Sequence, residues 1–270
     1  MRGTSRASLV AAEGRFEPVL REAGAEGRLL GEQLFALVDA LDSSGSLRRT
    51  LTDPSAAADR KAALAVRLLT GADPRVVEAA QGLVRARWSA EEDLADAVEH
   101  LAFAAVLASA EADGTIEQVQ EELFRLGRAL AGQREVRRLL YEDSVHAEAR
   151  GELVDRLLGG QGAPATRVLA RRAAVAPRGR RYVATLGHLT DLIAERRRRT
   201  VATVVSAAEL DGGQQRRLAE ILGRAYGREM QVQVQVDPHV LGGLRVQVGP
   251  EVIDATVLAR LADARRRLAS

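Results

Sequence analysis

Apolar residues recur at spacings of three and four along the chain from about residue 5 to 198. Leu34, Leu37, Val38 and Leu41 form one such stripe, which is the pattern of an amphipathic helix. Proline and glycine residues break the pattern into short segments. Short helices with one apolar stripe each bury those stripes against one another, so the sequence predicts a helical bundle over this region.

The bundle sequence repeats at an offset of 89 residues, because EQLFALVDAL begins at Glu32 and EELFRLGRAL begins at Glu121. At the same offset, LRRTL aligns with VRRLL, and RKAALAVRLLTG aligns with ARGELVDRLLGG. Apolar matches that stay in register over three segments predict two related bundles. The segment 91–112 has no helix breaker, so we expect it to end the first copy, 5–111, and to begin the second copy, 92–199.

The pattern changes after about residue 199. Three segments are rich in β-branched residues or alternate apolar with polar residues, which predicts strands: TVATVVSA (200–207), MQVQVQV (230–236) and LRVQV (244–248). Helices are predicted between Asp211 and Gly227 and again over about 256–268. The sequence therefore predicts a mainly α protein, in which two bundles sharing a long helix precede a small α/β domain, 200–270, of order strand-helix-strand-strand-helix.

Composition removes several kinds of chemistry. The 39 basic and 37 acidic residues nearly balance, and no cysteine is present to form disulfides, thiolate nucleophiles or zinc ribbons. Lys61 is the sole lysine and lies in a helical pattern, so the chain has no phosphate-binding Walker loop. The histidines 100, 146, 188 and 239 show no metal-ligand spacing. We expect no catalytic residue, no cofactor and no metal.

The apolar stretches are too short to cross a membrane. The longest uncharged apolar run, LAFAAVLASA, covers only residues 101–110, whereas a spanning helix needs ~20 residues. The N-terminal sequence lacks the apolar core of a signal peptide, and Glu13 and Glu17 argue against a transit peptide. We expect a cytoplasmic protein.

The loop DPHVLGG, residues 237–243, separates the last two predicted strands. Asp237 and Pro238 favour a turn, and Gly242 and Gly243 allow a positive φ or a close backbone approach. A glycine-rich nucleotide loop is the alternative. A phosphate site needs a helix N-terminus after its glycines, and these glycines lead into a strand, so we interpret the loop as a structural corner.

The C-terminal sequence resembles a known family. VDPHVLGGLRVQVG, followed by EVIDATVLARLADARRRL, resembles the C-terminal signature of the delta subunit of bacterial F-type ATP synthases, the counterpart of the mitochondrial oligomycin-sensitivity-conferring protein. VVSAAEL (204–210) is similar to the element that opens the same domain, and LRRTLTDP (47–54) is similar to a break between bundle helices. The residues that match the signature are Asp237, Pro238, Leu241, Gly242, Gly243, Gly249 and Asp254.

The chain also departs from that family. Ordinary members have one bundle of six helices, and their first helix carries a Tyr-Ala-x-Ala-Leu motif where this chain has SRASL (5–9). The duplicated bundle resembles the longer delta subunits of high-GC actinobacteria. Some relatives fuse the delta region to a membrane-anchored b subunit; this chain shows no anchor, which implies a separate b partner.

The resemblance implies a stator subunit on the cytoplasmic face of the cell membrane, with no catalytic role. It implies that a bundle binds the N-termini of alpha subunits, that the C-terminal domain binds the b stalk, and that the chain resists the torque of the rotor. The alpha-binding groove lies between the first and fifth helices of a bundle. In the first copy this suggests Leu9, Val10, Phe16 and Leu20 with part of 91–112; in the second, it suggests the shared helix with about 180–195. The sequence leaves both open.

The sequence was also compared with two alternative functions, a nucleic-acid-binding protein and an enzyme. Arginine clusters at 171–172, 178–181 and 196–199 suggest a nucleic-acid surface. Interleaved carboxylates nearly cancel this charge, and an aromatic content of 3% offers few stacking surfaces. An enzyme is disfavoured, because paired carboxylates such as Glu121 and Glu122 lie on predicted helix surfaces, where adjacent side chains point apart.

Overall fold

A computed structural model describes residues 1, 3–142, 145–227, 230–249 and 251–257, the side chains of residues 199 and 200 aside. The chain forms two compact units, residues 1–190 and 191–270. The helices up to the boundary are α1 (Gly3–Ala23), α2 (Gly27–Ser43), α3 (Gly45–Thr52), α4 (Ala58–Leu68), α5 (Pro74–Arg85), α6 (Glu91–Ala112), α7 (Ile116–Ala131), α8 (Arg134–Leu139), α9 (Ala147–Leu158), α10 (Pro164–Val175) and α11 (Tyr182–Thr200), the last of which contains the boundary.

The helix positions follow the sequence repeat. Helices α2 to α5 recur as α7 to α10, and each begins 89 or 90 residues after its counterpart. Helix α6 lies 88 residues after α1 and 91 residues before α11, so it is both the last helix of one set and the first of the next. The predicted fold class is confirmed. The predicted limits of the two copies, 5–111 and 92–199, stay predictions.

One expectation about the helix order needs correction. The segment 91–112 was expected to supply the fifth helix of the first copy, and it is the sixth. Helices α2 and α3 are separate because the chain breaks at Ser44: this residue is extended (φ −137°, ψ 98°), and its hydroxyl accepts a hydrogen bond from the backbone N–H of Leu47. The fifth helix is α5.

Helix α6 is buried around most of its circumference, with 15 of its 22 residues buried. A helix that is apolar on all sides needs neighbours on all sides. Its alanines let those neighbours approach closely, and two glycines of α2 make the closest approach: a methyl group added at Gly31 would lie 2.8 Å from the carbonyl oxygen of Ala102, and one added at Gly27 would lie 2.7 Å from that of Ala105. Small residues thus fix the spacing of α2 and α6.

A buried carboxylate also ties α6 to the second copy. Glu99 is 2% exposed. Its side chain accepts hydrogen bonds from Arg178 Nη1 at 3.1 Å and from Arg180 Nη2 at 2.6 Å, both in the loop between α10 and α11. Arg178 also pairs with Asp96 at 2.8 Å and with Asp42 of α2 at 2.7 Å. A charge this deeply buried requires such partners, because an unpaired buried carboxylate is strongly destabilising.

The second unit contains a mixed four-stranded sheet. Its strands are β1 (Val201–Ser206), β2 (Gln231–Val236), β3 (Leu244–Val248) and β4 (Glu251–Asp254), in the order β2-β1-β3-β4. β1 and β2 are parallel, and the other pairs are antiparallel. Helix α12 (Gly212–Tyr226) connects the parallel pair. One face of the sheet and α12 enclose a core of Ala202, Val204, Leu222, Met230, Val246 and Val248.

The strand β4 was not predicted. The sequence EVID is short and does not alternate, so it carries no strand signal of its own. It pairs with β3 in a register that sets Asp254 opposite Arg245 and Ile253 opposite Val246. The closing helix predicted over 256–268 lies outside the described residues from position 258 onward.

Gly31→Ala should lower the free energy of unfolding by about 1–3 kcal/mol, although alanine is the better helix former, because its methyl group meets backbone that cannot move aside. Gly14→Ala is the matched control: Gly14 also lies within a helix and has open space around it, so this change should stabilise by about 0.5–1 kcal/mol. Chemical denaturation of both variants measures the difference. Equal effects of the two changes would contradict the close packing of α2 on α6.

Candidate functional site

An open groove of about 600 Å³ runs between the first and fifth helices of the first copy. Helix α1 supplies one wall, α5 the other, and Leu101 of α6 part of the floor. The residues that line it are Ala7, Ser8, Ala11, Ala12, Arg15, Phe16 and Val19 of α1, with Arg75, Glu78, Ala79, Gly82 and Arg85 of α5 and Ala86 directly after it. The centre of the groove is therefore built of small residues, which let another helix come close.

The sequence sets the wall formed by α5. Pro74 occupies the first turn of this helix, and the side chain of Asp73 accepts a hydrogen bond from the backbone N–H of Arg75 at 2.9 Å. The Arg75 guanidinium also donates hydrogen bonds to this carboxylate, which lowers the pKa of Asp73. It also reaches Glu26 at 2.7 Å. The Asp-Pro start of α5 thus also anchors an arginine at the edge of the groove.

The rim of the groove is mainly basic. Arg15, Arg75 and Arg85 line it, with Glu78 as the one carboxylate among its lining residues. Arg85 reaches Asp59 at 3.4 Å, at a carboxylate that is almost fully exposed. An apolar floor between exposed arginines is suited to an amphipathic helix that carries acidic residues beside its apolar stripe.

The four residues proposed from sequence for the alpha-binding groove lie in different places. Phe16 lines the groove. Leu9 lines another cleft, beside α6 and the loop before α11. Val10 is 57% exposed and does not line the groove, and Leu20 is 1% exposed in the core.

The sequence pattern did not predict most of the groove, because the residues at its centre are alanine, glycine and serine, which give no strong hydrophobic signal. The spacing of Ala7 and Ala11, and of Ala79, Gly82 and Ala86, is the signal that was available. Small residues one turn apart leave a flat helix face that a second helix can approach.

The corresponding face in the second copy contacts α1. The repeat places Ala97, His100 and Ala108 of α6 at the positions of Ser8, Ala11 and Val19. Both alanines are buried. His100 forms a hydrogen bond with Glu13 of α1 and lines the same cleft as Leu9. Helix α1 therefore occupies part of this face of α6.

The loop of the C-terminal signature, residues 237–243, contacts the chain that follows β4 through its backbone. Gly242 and Gly243 have φ values of 69° and 82°, in the left-handed region that the sequence suggested for them. A methyl group on Gly243 would lie 2.4 Å from the carbonyl oxygen of Ala255. The carbonyl of Gly242 accepts a hydrogen bond from the N–H of Val257 at 3.1 Å. The two glycines thus let the loop lie directly against the chain that follows β4.

Polar members of the signature stabilise turns. Asp254 accepts hydrogen bonds from the Thr256 hydroxyl at 2.6 Å and backbone N–H at 3.0 Å, and these lower the pKa of Asp254. Asp237 accepts one from the N–H of His239 at 2.9 Å, next to Pro238.

Gly249 and Leu241 are the remaining residues of the signature. Gly249 turns the chain between β3 and β4 with a φ of 56°. Leu241 is 64% exposed at the loop surface. Leu241 is thus the member of the signature that presents an apolar side chain at the surface.

Arginines of the clusters that suggested a nucleic-acid surface form ion pairs. Arg171 pairs with Glu148 and Asp155, Arg172 with Asp39, Arg178 with Asp42, and Arg180 with Glu99. Their charge is neutralised within the helical unit. Across the described ranges, no cluster of His, Asp or Glu could hold a metal ion, and no helix is long and apolar enough to cross a bilayer.

The chain matches known proteins along its whole length. The family model described as ATP synthase delta (OSCP) subunit matches residues 103–268. The ATP synthase subunit delta of Beutenbergia cavernae is 54% identical over 270 residues, which cover 100% of both chains. That of Kineococcus radiotolerans is 44% identical over 99% of this chain and 97% of its own. That of Streptomyces griseus is 43% identical over 100% of both. The region before residue 103 is therefore shared with these actinobacterial relatives.

Gly243→Ala should destabilise the second unit by about 1–3 kcal/mol, because alanine meets both an unfavourable φ and a carbonyl oxygen in its way. The expected readout is faster hydrogen exchange at the amides of β1 and β3 in the full chain. Gly212→Ala, at a glycine with open space and no positive φ, is the control and should leave exchange unchanged. Protection in the Gly243 variant equal to that of the control would contradict this account of the loop.

Proposed function

The chain belongs to the ATP synthase delta (OSCP) subunit family, whose members are peripheral-stalk components of F-type ATP synthases, and we propose that it joins the catalytic head to a membrane-anchored b subunit. In this role the helical unit binds the N-termini of alpha subunits and the second unit binds b. The head would turn with the rotor if nothing held it, so the chain transmits the opposing torque to the stalk. It would work on the cytoplasmic face of the cell membrane, in a complex that translocates protons.

The open groove between α1 and α5 is the observation that carries the proposal for the head. An alpha N-terminal segment that folds into an amphipathic helix would place its apolar stripe over Phe16 and the alanines, and its carboxylates toward Arg15 and Arg85. Helix-in-groove binding of this kind adds a helix to a layer that the bundle leaves incomplete. The first copy is the binding site in this proposal, because α1 occupies part of the equivalent face of the second copy.

The second unit offers a surface of a different kind for b. Leu241, Val252 and Ile253 have exposed apolar side chains. β4 lies at the end of the strand order, at the opposite edge from β2. Exposed apolar residues next to a sheet edge favour binding of another chain.

A mechanical role without catalysis fits these surfaces. The buried and half-buried charges of the helical unit are used in ion pairs and hydrogen bonds that hold helices together. The alternative, an arginine-rich nucleic-acid-binding protein, is disfavoured by the ion pairs of Arg171, Arg172, Arg178 and Arg180.

Ala11→Phe should weaken binding of an alpha N-terminal peptide to the full chain by about tenfold or more, since a ring at the centre of the groove blocks close approach of a helix. Val10→Phe is the matched control: it adds a similar ring to the neighbouring exposed position, which does not line the groove, and should bind normally. Calorimetry gives both dissociation constants. Binding that is insensitive to Ala11→Phe, or lost only in Val10→Phe, would contradict this groove.

A further inference from the structure

Helix α7 presents an aromatic residue whose counterpart in the first copy is buried. The repeat pairs Phe35 of α2 with Phe124 of α7. Phe35 is 5% exposed and Phe124 is 50% exposed. The two helices hold the same residue at the same position, and only one of them has it covered.

Side chains from two helices pack against Phe35. Its ring meets that of Phe103 of α6 edge-on, with centroids 5.4 Å apart. The guanidinium of Arg172, from α10, lies over the ring at 4.7 Å from its centroid. Arg172 also pairs with Asp39, one turn after Phe35, at 2.8 Å. An aromatic ring and a carboxylate on α2 together hold a cationic partner from the next copy.

Helix α7 has the same aromatic ring with the opposite charge beside it. Arg128 stands at the position of Asp39, and its guanidinium lies 5.9 Å from the centre of the Phe124 ring. Ala131 replaces Asp42, and Arg134 follows at the start of α8. Within the part of the chain that the structure describes, neither Arg128 nor Arg134 forms an ion pair.

We propose that Phe124 and Arg128 form a docking surface for an acidic amphipathic helix of another protein chain. The counterpart surface on α2 binds protein helices, which favours a helix as the occupant. The charge at this surface is reversed relative to α2, so the ligand must supply carboxylates where Arg172 supplies a cation. The apolar side of that helix would cover the Phe124 ring, and its carboxylates would pair with Arg128.

A second copy of this chain fits the surface poorly. The element that covers Phe35 is cationic, and the same element from another molecule would meet Arg128 with like charge. Nucleic acid also fits poorly, because Arg125 beside this surface already pairs with Glu121 at 2.6 Å, and a phosphate backbone requires several unpaired cations. This surface is separate from the α1 and α5 groove, and the inference does not depend on that proposal.

Photocrosslinking in cells tests the proposal with the chain in its native assembly. Phe124→p-benzoylphenylalanine places the probe at the surface, and Leu29→p-benzoylphenylalanine, at an exposed residue of α2, is the control. The expected result is one main protein adduct at position 124, absent from the control, whose crosslinked peptide is helical in pattern and net acidic.

A second substitution tests the charge argument. Adding Arg128→Glu should reduce the adduct by about fivefold or more, whereas Arg128→Lys should retain most of it. Circular dichroism of the purified variants checks that each remains folded. An adduct to lipid or nucleic acid, an adduct to a second copy of this chain, a basic crosslinked peptide, indifference to Arg128→Glu in a folded variant, or no adduct above the control would each overturn the proposal.

Discussion

The packing of α6 is the constraint on which the helical unit depends. One helix serves both copies, so nearly all of its circumference is buried and each neighbour must come close. Alanine along α6 and glycine on α2 provide the space, and Glu99 forms a buried attachment to the arginines before α11. The two copies that share this helix form a single compact unit.

The same sharing makes the two copies unequal. Helix α6 takes in the second copy the place that α1 takes in the first. The side of α1 that faces α5 lines the open groove, whereas the same side of α6 contacts α1 through His100. Conversely, Arg172 of α10 covers Phe35 of α2, while Phe124 of α7, its counterpart, is exposed. Duplication thus leaves the groove between α1 and α5 open and Phe124 of α7 exposed.

The repeat, the shared helix and the first four C-terminal elements could be predicted, because apolar spacing and offset identity survive in the sequence. The groove could not, since the centre of its walls is alanine, glycine and serine, and the apolar residues chosen instead, such as Leu20, belong to the core. Strand β4 could not, because it depends on pairing with β3 and not on a pattern of its own. The positive φ values at Gly242 and Gly243 were foreseen because only glycine adopts them freely.

We propose that this chain couples the head to the stalk mechanically. The most direct test uses inverted membrane vesicles from cells that make the protein. The vesicles are stripped of this chain, and both ATP hydrolysis and ATP-driven proton uptake are measured. The account predicts that hydrolysis by the head continues, that proton uptake is lost, and that adding back the purified chain restores it. Proton uptake that persists in fully stripped vesicles would contradict the account.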